Sequence, residues 1–118
     1  MFALTESHRF FVFSQVTDMR KSFDALCGVV RMGLCRNPLS GEVFVFVNRK
    51  RNMMKLLHWQ QGGFVLYFKR LEKGTFEIPK TKSSELQISH AELSMIVSGI
   101  SVGNIQKRKR FCKPKNMI

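Results

Sequence analysis

The side chains whose chemistry stands out in this sequence are cations, and they are clustered. The chain has 20 Lys and Arg residues against 8 Asp and Glu residues, which gives a net charge of +12 at pH 7. Residues 49–73 carry +6 of this charge and residues 80–118 carry another +6, so the remainder is neutral in sum. Lys and Arg neutralise phosphates and release the counterions condensed on a nucleic acid, which favours binding to any base sequence. The charge pattern therefore predicts a polyanionic partner, and DNA in particular.

Two cationic clusters are predicted to contact phosphates directly. Arg49-Lys50-Arg51 lies between two predicted strands, and a two-stranded ribbon can carry such a tip into a DNA groove. Lys107-Arg108-Lys109-Arg110 lies in a basic tail that can follow the DNA backbone and order on contact. A solvated loop and a tail that docks on an acidic protein are the alternatives. The complete set of predicted nucleic-acid-binding residues is Arg49, Lys50, Arg51, Lys55, Lys69, Arg70, Lys107, Arg108, Lys109 and Arg110.

The spacing of the acidic and sulfur-containing residues argues against catalysis and metal binding. Asp18 and Asp24 are six residues apart on a predicted helix and would point about 120° away from each other, so they cannot hold one divalent ion together. Cys27, Cys35 and Cys112 have no Cys-x-x-Cys spacing, which indicates neither a zinc site nor a disulfide framework. We expect a protein that is not an enzyme, with no metal, cofactor or small-molecule substrate.

The chain shows no pattern for membrane insertion or export. No apolar run approaches the roughly 20 residues that span a bilayer. Residues 1–6 lack the cationic and apolar regions of a signal peptide. An odd number of cysteines fits a reducing compartment. We therefore expect a cytoplasmic protein without membrane contact.

The cations must be positioned by a small α+β domain, predicted over residues 1–105 and followed by a basic tail over 106–118. A chain of 118 residues suits a single domain. The run Val43–Val47 predicts a strand that is covered on both faces. Short spacings between the predicted strands favour an antiparallel meander, since parallel pairs need a long crossover. The predicted strands are His8–Ser14, Val43–Val47, Met53–Trp59, Phe64–Phe68 and Thr75–Ile78, with charged turns at 48–52 and 69–74 and a polar connector at 80–85.

Two helices are predicted beside this sheet. Apolar residues at helical spacing run from Met19 to Leu34 and form one stripe that includes Cys27 as a core thiol. Thr17 or Asp18 would cap this helix, and Arg20 would pair with Asp24. The segment Ser89-His90-Ala91-Glu92 has the form of a capping box and predicts a short C-terminal helix that ends at Ser98-Gly99.

Aromatic and histidine side chains in the predicted strands have two interpretations. Trp59, Tyr67 and Phe68 could stack on the bases of single-stranded nucleic acid. Because they lie in apolar strands, core packing is the ordinary explanation. His58 is expected to be a strand residue that faces solvent rather than a catalyst.

Six sequence blocks occur in an order that resembles one family. They are Asp18-Met19-Arg20-Lys21-Ser22-Phe23-Asp24, Asn37-Pro38-Leu39-Ser40-Gly41, Phe44-x-Phe46-x-Asn48-Arg49-x-Arg51, Lys55-Leu56-Leu57-His58-Trp59, Gly63-Phe64 and Lys69-Arg70-Leu71-Glu72-x-Gly74-x-Phe76. Over residues 5–79 the chain resembles the TnpB-type accessory proteins, products of the second open reading frame, of bacterial insertion sequences of the "sixty-six" family.

The resemblance implies an accessory role in transposition, beside a separate, larger transposase and another accessory protein encoded by the same element. It brings no established catalytic residues. The charge pattern, rather than the resemblance, is what predicts DNA contact. The alternative is a protein–protein adaptor that docks on the transposase without binding DNA itself, and RNA binding is a third hypothesis.

Overall fold

A computed structural model describes residues 4–99 of the chain. The predicted tail over 106–118, the last residues of the predicted domain and Cys112 lie outside the described residues. Five strands and two helices follow each other along the chain. They are β1 (Phe10–Phe13), α1 (Phe23–Gly33), β2 (Val43–Val47), β3 (Met53–Gln60), β4 (Gly63–Arg70), β5 (Glu85–Ile88) and α2 (His90–Ser98).

The strands form one mixed sheet in the order β4-β3-β2-β1-β5. β2, β3 and β4 are antiparallel neighbours joined by short turns. β1 pairs in parallel with β2, and β5 pairs antiparallel with β1. The α+β class is confirmed, but the expectation of a purely antiparallel sheet is wrong. The connection between β1 and β2 holds α1, which is the kind of long crossover that lets two strands run in parallel.

β2 is the strand on which both halves of the core depend. All five of its residues are buried. Val43, Val45 and Val47 face a cluster that includes Leu93 and Ile96 of α2. Phe44 and Phe46 face a second cluster that includes Leu26, Cys27 and Val30 of α1. Because successive side chains of a strand point to opposite faces, the helices cover the sheet from its two sides, and Cys27 is a core thiol as predicted.

The start of α1 differs from the prediction. The helix begins at Phe23 rather than Met19, and its N-cap is Ser22, which makes no side-chain cap hydrogen bond. Asp18 is not the N-cap, because its carboxylate accepts a hydrogen bond from the backbone N–H of Arg20 and pairs with that residue's guanidinium, Nη2 to Oδ2, at 2.6 Å. The predicted Thr17 or Asp18 cap and the predicted Arg20–Asp24 pair are therefore wrong. The backbone N–H of Thr17 donates instead to the carbonyl of Val47, which keeps this segment extended along the sheet.

Local signals at the second helix are confirmed. The Ser89 hydroxyl accepts from the backbone N–H of Glu92 at 3.0 Å, and the Glu92 carboxylate accepts from the backbone N–H of Ser89 at 2.9 Å. Gly99 ends α2 in the left-handed region, at φ 87°, where glycine carries no Cβ penalty. Neither of the two described helices is long and apolar enough to span a membrane.

The fifth strand was not predicted, and the strand expected at Thr75–Ile78 does not form. β5 occupies Glu85–Ile88 and begins at the last residue of the stretch expected to be a polar connector. It is joined to the α1–β2 connection by Arg36, whose guanidinium donates twice to the Glu85 carboxylate at 2.9 and 2.7 Å. Phe76 is fully buried, and its backbone N–H donates to the carbonyl of Arg51. The apolar residues around Phe76 therefore mark a loop anchored in the core.

His58 is buried in β3, and the expectation that it faces solvent is wrong. Its side chain shares the sheet face of Val43, and only 4% of the residue is exposed. Nε2 donates to the carbonyl oxygen of Gly41 at 3.1 Å, while Nδ1 is buried without a partner among the described residues. Burial lowers the pKa of the imidazole, and the ring of His8, with its centroid 4.8 Å away, lowers it further.

This environment predicts that the folded protein loses stability in mild acid. A histidine whose pKa is lowered by folding contributes stability that is present above its unfolded pKa of 6.5 and is lost as the pH falls. The free energy of unfolding in urea should therefore fall between about pH 7 and about pH 5. In His58→Gln, which keeps a donor for Gly41 but cannot titrate, this fall should be shallower. A wild-type protein no more sensitive to pH than the variant would contradict the assignment.

Candidate nucleic-acid interface

Three connections of the fold meet at one end of the sheet. They are residues 14–22 after β1, 48–52 between β2 and β3, and 71–84 after β4. Backbone hydrogen bonds join them: Ser14 N–H donates to Ser84, Leu71 N–H to Asn52, and Phe76 N–H to Arg51. We call these connections, together with the last two residues of β4, the basic end, which comprises residues 14–22, 48–52 and 69–84.

The basic end carries the positive charge of the described domain. It contains ten Lys and Arg residues and three Asp and Glu residues, for a net charge of +7. At the opposite end, residues 4–9 and the connections 34–42 and 61–62 carry two Arg and two Glu and are neutral in sum. Arg9 and Arg36 at that end both lie within 4 Å of the Glu42 carboxylate. The fold thus places an excess of positive charge at one end of the sheet and balanced charge at the other.

The turn between β2 and β3 is built by two asparagines. The Asn48 side-chain oxygen accepts from the backbone N–H groups of Asn52 and Met53, each at 3.0 Å. The Asn48 side-chain amide donates to the Asn52 side-chain oxygen at 2.8 Å. Arg51 lies in the left-handed region at φ 58°, and its N–H donates to the carbonyl of Asn48. These bonds hold the turn in one shape, and nothing in the charge pattern pointed to Asn48 and Asn52.

The predicted cations of this turn are exposed. Arg49, Lys50 and Arg51 are all solvent-accessible, and within residues 4–99 their side chains form no ion pair. A cleft of about 560 Å³ lies between the turn and the segment after β1. Arg49 and Lys50 line it together with the apolar side chains of Val16 and Met19. The turn therefore presents its charge beside a concave surface.

Lys69 and Arg70 lie beside this turn, although they belong to β4 and not to the charged turn that was predicted. Arg70 pairs in register with Met53 and Lys69 with Met54, the first two residues of β3. Both side chains are exposed. Arg70 Nε lies 3.1 Å from the Glu72 carboxylate, in a pair of which nearly two-thirds of each side chain is exposed. Such exposed pairs are worth little and are readily exchanged, so Arg70 stays available to a phosphate.

Lys55 has a structural role that the charge pattern did not predict. The residue is 7% exposed, and its ammonium Nζ donates to the carbonyls of Met19 and Lys21 at 2.7 and 2.8 Å. Nζ also lies 4.9 Å from the centroid of the Phe68 ring. The structure therefore corrects the expectation that Lys55 faces a nucleic acid. Its charge ties β3 to the segment that enters α1.

Topology adds cations that the sequence did not single out. The basic end includes Arg20, Lys21, Lys73, Lys80 and Lys82. They are scattered in sequence, and only the meeting of three connections brings them to the same end as Arg49. Lys107, Arg108, Lys109 and Arg110 lie outside the described residues. Within residues 4–99, no three His, Cys, Asp or Glu residues are grouped in a way that could hold a metal ion.

The role of Lys55 can be separated from that of its exposed neighbour by one substitution at each position. Lys55 Nζ makes two hydrogen bonds, and a hydrogen bond to a charged group contributes about 1.5–3 kcal/mol. Lys55→Met should therefore lower the free energy of unfolding by about 3 kcal/mol or more. Lys69→Met removes the same charge from an exposed position on β4 and should change stability by less than about 0.5 kcal/mol. Urea unfolding of the two variants measures both. Equal losses would show that Lys55 does not hold the entry to α1.

Comparison with known proteins finds one matching family and similar relatives. Residues 8–107 match the family described as "IS66 Orf2 like protein". Two proteins of Sinorhizobium fredii (strain NBRC 101917 / NGR234) are similar along most of their length. "Uncharacterized protein y4jC" is 31% identical over 106 residues, which cover 90% of each chain. "Uncharacterized protein y4hO" is 39% identical over 98 residues, which cover 82% of this chain and 84% of the relative.

No solved structure matches the chain. The family match covers both helices and all five strands, including the three connections that form the basic end. The family has a role in the transposition of insertion sequences, and it is an accessory family rather than one with a known catalytic activity. The chain belongs to the family of IS66 Orf2-like proteins.

Proposed function

We propose that this protein assists transposition as a non-catalytic accessory factor that holds DNA phosphates against its basic end. The observation that supports this most directly is the separation of charge. The net charge is +7 at the basic end, whereas the connections at the other end of the sheet have a net charge of zero. Cations needed only for solubility would gain nothing from such a separation. A polyanion does gain, because many phosphates can then be neutralised by one side of the molecule.

The turn between β2 and β3 favours contact with the DNA backbone over reading of base sequence. Asparagine amides are well suited to hydrogen bonds with adenine in the major groove. Here the side chains of Asn48 and Asn52 are bonded to each other, and Asn48 also holds two backbone N–H groups. The groups left to face DNA are the side chains of Arg49, Lys50 and Arg51. The proposal therefore includes weak sequence specificity for this chain alone.

The transposase and another accessory protein of the same element are the proposed protein partners, and the cytoplasm, where bacterial DNA lies, is the proposed location. The predicted tail, residues 106–118, is proposed to extend the contact through Lys107, Arg108, Lys109 and Arg110. An adaptor that docks its cations on an acidic face of the transposase is the alternative function. Both binding modes are electrostatic, so salt sensitivity alone does not separate them. A mobility-shift assay with purified protein and duplex DNA, set beside a pull-down with the transposase, does separate them.

A charge-matched pair of double variants tests the location of the interface. Arg49→Gln with Lys50→Gln removes two cations from the basic end, and Arg9→Gln with Arg31→Gln removes two exposed cations outside it. Removal of one phosphate–cation pair from the complex lowers the slope of log affinity against log salt by about 0.9. The first variant should therefore bind duplex DNA more weakly, with a slope reduced by about 2 units, while the second changes little. Equal reductions in the two variants would place DNA elsewhere or show a diffuse attraction to net charge.

Deletion of residues 107–118 tests the tail. The truncated protein should bind duplex DNA more weakly and show a salt slope reduced by several units, because the segment carries six Lys and Arg residues. The measurement is the affinity for one duplex across a series of salt concentrations. An unchanged affinity and slope would remove the tail from the proposal and leave the basic end as the whole interface.

A further inference from the structure

Phe68 differs from the other two aromatic residues of β3 and β4 that could stack on bases. Tyr67 packs against the core cluster under α2. The Trp59 ring is half-buried and lies edge-on to Phe64, with the centroids 5.0 Å apart. Phe68 is 56% exposed, although a phenylalanine side chain gains by burial. An aromatic ring left this exposed on the edge strand β4 needs a reason.

The ring of Phe68 is held in place from one side. Phe64 and Leu66 of the same strand pack against the cluster under α1. Phe68 lies on that face too, because side chains alternate along a strand. There it pairs in register with Lys55, whose Nζ lies over the ring at 4.9 Å and is itself fixed by two carbonyls. The ring is therefore oriented before any partner arrives, which lowers the conformational entropy cost of binding.

Cations of the basic end surround this ring. Arg70 is two residues further along β4, on the same face and at the border of the basic end. The two carbonyls that Lys55 binds belong to Met19 and Lys21, so the segment carrying Arg20 and Lys21 passes next to the ring. Arg20 and Lys21 are exposed. An exposed aromatic ring bordered by exposed cations has the two elements that bind single strands, a stacking surface and a positively charged path for the backbone.

We propose that Phe68 stacks on an unpaired base of single-stranded DNA, with the flanking phosphates against Arg70 and Lys21. This inference rests on the proposed function, since it assigns the kind of DNA that the basic end receives. A base inside a duplex is stacked on its neighbours and cannot reach the ring. The preferred ligand is therefore a DNA end with unpaired nucleotides.

The test compares two DNA probes with the full-length chain: a blunt duplex, and the same duplex with a short 3′ overhang. The wild-type protein should bind the overhang probe more tightly. Stacking contributes about 1–3 kcal/mol per base, so Phe68→Leu should reduce the ratio of overhang to blunt affinity by about 5- to 150-fold. Phe23→Leu removes another exposed aromatic ring, from the start of α1, where the residue is 41% exposed. This matched control should leave the ratio unchanged.

A second variant gives a direct signal for stacking. Phe68→Trp in a Trp59→Phe background keeps an aromatic ring and places the only tryptophan of the chain at the site. Its affinity ratio should resemble that of the wild type, and its fluorescence should be quenched by the overhang probe but not by the blunt duplex. Quenching by both probes alike would overturn the assignment.

Other outcomes separate this inference from the proposed function. If the wild-type protein bound neither probe, both the stacking role of Phe68 and the proposed function would be contradicted. Tight binding of both probes with an equal ratio in Phe68→Leu and wild type would remove only the stacking role. A changed sedimentation of Phe68→Leu, with an unchanged ratio of overhang to blunt affinity, would assign the ring to contact between copies of the chain. An RNA strand that competes better than the DNA strand would overturn the choice of DNA as the ligand.

Discussion

The two-sided burial of β2 constrains the rest of this molecule. A strand covered by helices on both faces has no place for a hydrated charge, and its sequence is accordingly Val-Phe-Val-Phe-Val. Within residues 4–99 the cations are therefore placed in connections, at strand ends and, for Arg31, on the exposed side of α1. Since the chain leaves β1, β2 and β4 at the same end of the sheet, the connections that follow these strands meet there. The concentration of charge is thus a consequence of strand direction as much as of composition.

Lys55 is the exception to this rule, and it connects the core to the surface. A buried ammonium is tolerated only when hydrogen bonds satisfy it, and the carbonyls of Met19 and Lys21 do so here. The same ammonium lies over the Phe68 ring. One side chain therefore sets the path of the chain into α1, the place of the Arg20–Lys21 segment and the orientation of Phe68. Lys55 therefore adds one charge to the composition, but in the folded protein its main role is to position these neighbouring groups.

The proposed role suits an accessory protein of an insertion sequence. In the proposed role, binding through phosphates, with the turn asparagines bonded to each other, would give affinity for DNA without a preferred site. Sequence recognition and bond breaking would then fall to the transposase, while this protein holds DNA in a chosen state. The stacking role proposed for Phe68 names that state as an end with unpaired nucleotides.

Local patterns of the sequence determined the features that depend on neighbouring residues. The capping box at Ser89, the end of α2 at Gly99, the burial of Val43–Val47 and of Cys27, and the cationic turn at Arg49 were all predictable in this way, because each involves residues a few positions apart. Only the tertiary structure decided that β1 runs parallel to β2, that Glu85–Ile88 forms an edge strand, and that Lys55 and His58 are buried. These features depend on partners that are distant in the chain, and the positions of those partners are set by how the two helices cover the sheet. A local pattern of apolar residues does not specify such long-range contacts. The same long-range packing brings Arg20, Lys73 and Lys82 to the same end of the sheet as the turn. The sequence therefore determined the number of cations but not their common location.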